Sequence, residues 1–133
     1  IMKQHIITAH PLDFIEDVAL TMYENHIGCL PIIQNHKLVG IITESDILRT
    51  LIELTGIAHP SSQIEIEVED RIGVLADVAA IFKASQVNVS SAFVYPVKEQ
   101  NKKKLVFRVN TMDPRAIIEK VQQAGYQVVW PKF

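Results

Sequence analysis

The residues best placed to do chemistry gather at one junction, Gly40-Ile41-Ile42-Thr43-Glu44-Ser45-Asp46. An apolar run meets Thr-x-Ser-Asp and continues into an amphipathic stretch, which puts two hydroxyls and a carboxylate beside an expected helix start. Hydroxyls and free helix amides hold phosphate, and a carboxylate holds ribose hydroxyls. The same residues also suit a plain helix cap, with Ser45 or Asp46 satisfying the first free amides. The local pattern leaves both readings open.

The elements around this junction can be read from periodicity. Residues 6–8 form a short expected strand, and His10-Pro11-Leu12-Asp13 a turn and helix start. Phe14, Val18 and Met22, with Ile15, Ala19 and Tyr23 beside them, make one apolar helix face that stops near residues 25–28. Residues 29–33 read as a buried strand, 34–37 as a polar turn and 38–43 as a second strand antiparallel to it. Ile47, Leu48, Leu51 and Ile52 define a second helix closed by Gly56. A stretch poor in apolar residues then carries Pro60, Ser61 and Ser62, and is the expected linker.

The second half begins with strict alternation, Ile64-Glu65-Ile66-Glu67-Val68-Glu69, the pattern of a strand with one buried and one wet face. On this reading the glutamates face away from the helices, with Arg108 beside them. Asp70-Arg71-Ile72-Gly73 is a turn, and Val74, Val78, Ile81 and Phe82 line a helix face. Strands are expected over residues 88–95 and 104–109, joined by a long polar hairpin loop over 98–103. Asp113-Pro114 opens a helix with Ile117, Ile118 and Val121 inward, Gly125 stops it, and residues 126–130 form the last strand. The order is β-α-β-β-α-β, the split βαβ arrangement.

Composition narrows the function classes. The chain has 133 residues, 48% of them apolar, and a formal net charge of −2. Near-neutral charge gives no electrostatic ground for nucleic-acid or membrane binding. The Lys102-Lys103-Lys104 cluster, near Lys98, reads as a solvated loop rather than a phosphate grip. The single cysteine, Cys29, permits no disulfide within the chain and reads as a small buried side chain. No apolar stretch approaches a membrane span, so a cytoplasmic protein is expected. The chain opens on Ile1, which suggests a piece of something longer. His5, His10, His26, His36 and His59 show no metal spacing, and no glycine-rich nucleotide loop, nucleophile arrangement or paired carboxylates on one helix face stand out. Neither an enzyme nor a metal site is expected.

Several of these residues form recognisable patterns. Ile7-Thr8, the helix over residues 14–23, Gly28-Cys29-Leu30-Pro31-Ile32 and the run from Leu38 to Ile47 together resemble one CBS motif. That motif is the half-module that pairs to make an adenosyl-nucleotide sensor. Residues 66–75, then Val87-Asn88-Val89, resemble an ACT domain, a small-molecule regulatory module usually for amino acids. The order of the two, with Val129-Trp130-Pro131 near the end, resembles the C-terminal part of the AcuB-type acetoin-utilisation proteins. Those carry two CBS motifs, and this chain has one. The implied fold is α+β: a CBS half-module of short strands and two helices over 1–56, a linker over 57–62, and a ferredoxin-like βαββαβ ACT domain over 63–133.

The resemblance implies sites. Asp46 would take ribose hydroxyls and Thr43 and Ser45 phosphate, with backbone near Thr8, Cys29 and Leu30 lining a base pocket. Arg49 is read as an exposed helix residue. In the ACT-like part Gly73 lets the backbone approach a ligand, and the amides of Gly73, Val74 and Leu75 suit a carboxylate. Asp70 or Asn88 would take an ammonium. A turn that needs glycine and an asparagine capping a strand end explain the same residues without a ligand, and Arg71 reads as a surface charge.

The expected function is a regulatory module sensing an adenine nucleotide (AMP, ATP or S-adenosylmethionine) in the CBS-like part, with a small metabolite or amino acid as the ligand the resemblance implies for the ACT-like part. The alternative is a structural oligomerisation module with empty pockets. Each unit is small and should pack against a copy of itself or another neighbour, giving at least a dimer. The second strand of the ACT-like sheet, read as uncharged and free of proline, is the expected edge for side-by-side pairing. The glutamate stripe makes the open sheet face acidic on this reading, which opposes stacking face to face.

Overall fold

The computed structural model describes residues 6–98 and 100–132. His5 and Glu99 lie outside the described residues. The chain divides into two compact units, Ile1–Ile52 and Glu53–Phe133.

The first unit contains helix α1 (Ile15–Glu24), strands β1 (Cys29–Gln34) and β2 (Lys37–Thr43), and most of helix α2 (Glu44–Thr55). β1 and β2 form an antiparallel hairpin with Gln34 opposite Lys37. Asn35 and His36 between them both have positive φ, 52° and 64°, as the tight two-residue hairpin turn requires. The strand expected over residues 6–8 is not formed. Instead Ala9 makes one parallel bridge to Ile32, with its amide donating to the Pro31 carbonyl at 2.9 Å. Beyond Ala9 the His10 amide donates to Asp13 Oδ2 at 2.9 Å, and this turn stops the pairing from continuing towards α1.

The core of this unit is small. Ala9, Val18, Met22 and Leu30 are buried, with Ile7, Ile27, Ile32, Ile42 and Ile47 packed against them. The apolar stripe on α1 is only half covered: Val18 and Met22 are inside, while Phe14 is 68% and Tyr23 79% exposed. α2 buries no residue fully, and Leu48, Leu51 and Ile52, three of the four apolar residues that define it, are exposed. Cys29, expected buried, is exposed as well. In a strand successive side chains alternate faces, and Leu30 takes the inward one.

The second unit contains β3 (Ser62–Glu69), α3 (Val74–Ala84), β4 (Val89–Val97), β5 (Lys102–Val109), α4 (Arg115–Gln123) and β6 (Gln127–Trp130). The strands form a four-stranded sheet in the order β4-β5-β3-β6, every neighbouring pair antiparallel. This is the split βαβ order read from the sequence. The alternation of β3 is realised: Ile64, Ile66 and Val68 are buried, and the glutamates lie on the other face. They meet Leu105, Phe107 and Val109 of β5, Val74, Val78 and Phe82 of α3, and Ile117, Ile118 and Val121 of α4. Phe82 and Phe107 pack with ring centroids 4.7 Å apart. Both helices thus cover one face of the sheet and leave the other open.

Three expectations fail here. The hairpin loop over 98–103 is shorter than expected, because Lys102 and Lys103 join Lys104 in β5. They sit on a strand because partners wait across it: Lys102 lies 3.5 Å from Glu67, Lys104 3.9 Å from Glu65 and Lys103 2.9 Å from Asp70. The open face is therefore of mixed charge, not acidic, and the charge argument against stacking it face to face falls. β4 is indeed an edge strand, but it continues to Val97 and includes Pro96. Among the described residues no helix is long and apolar enough to cross a membrane.

Candidate functional site

The first unit brings its candidate residues to one end of its hairpin. Cys29 pairs with Thr43 across the two strands, and Thr8 precedes Ala9, which is bonded to Pro31. The Glu44 amide donates to the Gly28 carbonyl at 3.1 Å, tying the start of α2 to the start of β1. Leu30 is buried, so only its backbone is available to a ligand. Thr8 and Ser45 are exposed.

Thr43 and Asp46 make a reciprocal cap. The Thr43 amide donates to Asp46 Oδ2 at 2.8 Å, and the Asp46 amide donates to Thr43 Oγ1 at 3.3 Å. The Thr43 hydroxyl also donates to Asp46 Oδ2 at 3.0 Å. This is the capping-box geometry, in which two orphan amides satisfy each other through side chains. The capping residues are thus Thr43 with Asp46, rather than Ser45. The Asp46 carboxyl is held below its usual range, first by the Thr43 amide, then by the Thr43 hydroxyl and the Arg49 guanidinium. Arg49 Nη2 donates to the remaining oxygen, Oδ1, at 2.6 Å. Arg49 is well exposed, so this pair is weak and salt-screened, and Oδ1 is the oxygen a ligand hydroxyl would compete for.

Sequence reasoning missed a cavity of about 430 Å³ on the helical side of this unit, lined by Met22, Tyr23, His26, Ile27, Glu44 and Ile47 among others. Its signal is the apolar stripe on α1, which is wider than the core it covers.

In the second unit Asp70, Gly73, Val74 and Leu75 line a cavity of about 250 Å³. Gly73 has φ 82° and stands at the N-cap of α3 without a side-chain cap, so helix amides remain for a ligand. The Val74 amide turns back to the Arg71 carbonyl at 3.4 Å. Lys103, not foreseen, also lines this cavity and holds Asp70 at 2.9 Å. An ammonium would compete with Lys103 for Asp70, whereas an anion would gain from it. Arg71 bonds Asp77 at 2.9 Å and Tyr126 at 3.3 Å. Asn88 is not part of this constellation. It precedes β4 at the Ser62 end of the sheet, while Gly73 follows β3 at the Glu69 end. Arg108 lies on the glutamate face as expected, but it bonds Gln63 at 2.8 Å and Ser61 at 3.2 Å rather than a glutamate. Among the described residues no His, Cys, Asp and Glu cluster is arranged to hold a metal.

Comparison with known proteins agrees with this division. Residues 1–53 match the family model of the CBS domain, and residues 62–125 that of the ACT domain. Both are regulatory ligand-binding domains rather than catalytic ones. The uncharacterized protein MJ1225 of Methanocaldococcus jannaschii is 44% identical over 50 residues, which is 37% of this chain and 18% of that protein. The chain thus matches under a fifth of that relative's length. The fold is α+β, with a CBS half-module followed by a ferredoxin-like βαββαβ ACT domain.

Proposed function

We propose that this chain, a CBS half-module followed by an ACT domain, is a ligand-sensing regulatory module that binds an adenine nucleotide at the start of α2. The observation that carries the reading is the Thr43–Asp46 pair at a strand–helix junction, with Cys29 across the hairpin. Asp46 is ionised and keeps Oδ1 within reach of ribose hydroxyls once the exposed Arg49 swings away. Thr43 and Ser45 supply hydroxyls for phosphate, and the backbone near Thr8, Cys29 and Leu30 lines the base. AMP, ATP and S-adenosylmethionine are the candidate ligands. A small anionic metabolite or amino acid is proposed at the Gly73 turn, where the α3 amides and Lys103 converge. No catalysis is proposed. The succession of one CBS motif and an ACT domain is consistent with the C-terminal part of an acetoin-utilisation regulator of the AcuB type.

Assembly belongs to this reading. β4 is an outer strand with Val94 part-exposed, and we take it as the edge through which two ACT sheets join side by side. Antiparallel pairing of two β4 strands about a two-fold would carry Asn88 of one copy towards the Gly73 end of the other. A ligand at Gly73 would then favour one arrangement of subunits by its differential affinity.

The uncovered apolar residues of α2 favour a second reading, a structural oligomerisation module whose Thr43–Asp46 pair is only a helix cap. Titration calorimetry of the chain with AMP, ATP and S-adenosylmethionine separates the two. Saturable heat with at least one supports sensing, and no heat with any of the three leaves the association module.

A further inference from the structure

The open face of the second unit's sheet carries a cation, Arg108, to which no described residue brings a carboxylate within salt-bridge distance. The chain has four arginines. Three of them lie exposed and each holds an aspartate: Arg49 with Asp46 at 2.6 Å, Arg71 with Asp77 at 2.9 Å, Arg115 with Asp113 at 2.8 Å. Arg108 is the half-buried one, and its bonds go to two neutral groups, Ser61 Oγ and Gln63 Oε1. Among the described residues no carboxylate lies within salt-bridge distance of it. A part-buried guanidinium whose bonds go only to neutral groups can still gain a charge-assisted bond from an anion that arrives from outside.

The surroundings describe that anion. Arg108 lines a cavity of about 210 Å³ together with Gln63, Glu65, Phe93, Tyr95 and Val106. Phe93 and Tyr95 stand along β4 with ring centroids 6.2 Å apart and supply a flat apolar wall. Gly56, with φ 68°, closes another side; a Cβ there would lie 3.5 Å from Arg108 Cδ. The Ser91 hydroxyl donates to the Thr55 carbonyl at 3.1 Å and fixes that wall. The volume is below the roughly 300–1,000 Å³ of drug-sized sites, so the ligand is small. Gln63 stands between Arg108 and Glu65: its Oε1 accepts from Arg108 and its Nε2 donates to Glu65 Oε1 at 3.1 Å. Glu65 on the same wall disfavours a dianion such as a phosphate ester and leaves room for a monoanion.

We propose that this face binds a small apolar monocarboxylate, with its carboxylate on the Arg108 fork and its body against Phe93, Tyr95 and Val106. The site is separate from the Gly73 turn and from the Thr43–Asp46 junction. Glu65 decides between two sources of the same chemistry: a free α-amino acid would set its ammonium towards Glu65, while a simple carboxylic acid would not use it.

The test is a titration of the chain with leucine, 4-methylpentanoate and 4-methylpentanol, followed by NMR or calorimetry. At least one of the two acids binds by about 10 mM, and the alcohol binds more weakly or not at all. Arg108→Gln weakens the acid by about tenfold or more, as expected for loss of a charge-assisted bidentate contact. Preference for leucine that Glu65→Gln abolishes assigns an amino acid; preference for 4-methylpentanoate that Glu65→Gln leaves or strengthens assigns a simple acid. Should Arg108→Gln fail to melt cooperatively, Arg108→Lys, which keeps the charge and loses the fork, serves in its place. No binding of either acid, equal binding of acid and alcohol, or unchanged binding in the Arg108 variant overturns the proposal. Asp46→Ala leaves acid binding unchanged, so failure of the nucleotide reading and failure of this one are distinguishable.

Discussion

Among the described residues, the second unit draws twelve buried side chains from its sheet and both helices into one cluster, whereas the first unit gathers four. In the second, every inward position of β3, β5, α3 and α4 finds a partner. In the first, α1 shares its apolar stripe between core and solvent, and α2 buries nothing. The two sets of helices are equally amphipathic to the eye. What differs is cover: the ACT sheet supplies a broad face for two helices, and a two-stranded hairpin does not. Stability should therefore concentrate in the second unit, and the uncovered apolar helical surface of the first should add a contact of its own to the assembly through β4.

The strongest way to break this comparison is Phe82→Ala. Phe82 is fully buried against Phe107, and its removal should cost about 3–5 kcal/mol, a large part of a small domain's stability. Denaturant unfolding followed by circular dichroism measures it, and a loss under about 1 kcal/mol would mean that the core is not as closed as described. Thr43→Ala removes the N-cap of α2 and should cost about 1 kcal/mol, read as loss of helix in the first unit. Leu51→Glu sharpens the contrast from the other side. On an exposed position it should change the stability of the folded chain by no more than about 0.5 kcal/mol, yet shift the chain towards smaller assemblies in light scattering. A large loss of stability with unchanged assembly would place Leu51 in a core.

The smallest effect is with pH. The Asp46 pKa is depressed on folding, so its contribution to the cap is present above the unfolded value and is lost as pH falls through the folded one. The Thr43 amide resonance should report a midpoint below the ordinary 3.8, and a midpoint at or above 3.8 would remove the bond from Thr43 to Asp46.

Much of this was legible in the chain. The alternation of residues 64–69 fixed which face of β3 is wet, because a one-residue slip would have put glutamates in the core. Gly56, Gly73 and Gly125 marked places where the backbone takes positive φ. The failures share a cause: a linear pattern does not name partners across space. Lys102 and Lys103 read as loop because consecutive charges have no local reason to be a strand; Glu67 and Asp70 supply that reason. The resemblance puts Asn88 and Gly73 at one site, but α3 carries the chain to the other end of the sheet between them. Leu48, Leu51 and Ile52 define a helix by periodicity, which identifies an apolar face without saying what covers it. At the candidate site the residue types were evident, while the reciprocal bonding of Thr43 and Asp46 needed the geometry of the helix start.

The central claim is that Asp46 is both a cap and a ligand-binding carboxylate. The most direct measurement is the affinity of the chain and of its Asp46→Ala variant, both shown to melt cooperatively, for AMP, ATP and S-adenosylmethionine by calorimetry. At least one of these should bind the unaltered chain, and the variant should bind it about ten- to a hundredfold more weakly. Equal affinity in the two proteins, or no binding by either, would leave Thr43 and Asp46 as a helix cap and nothing more.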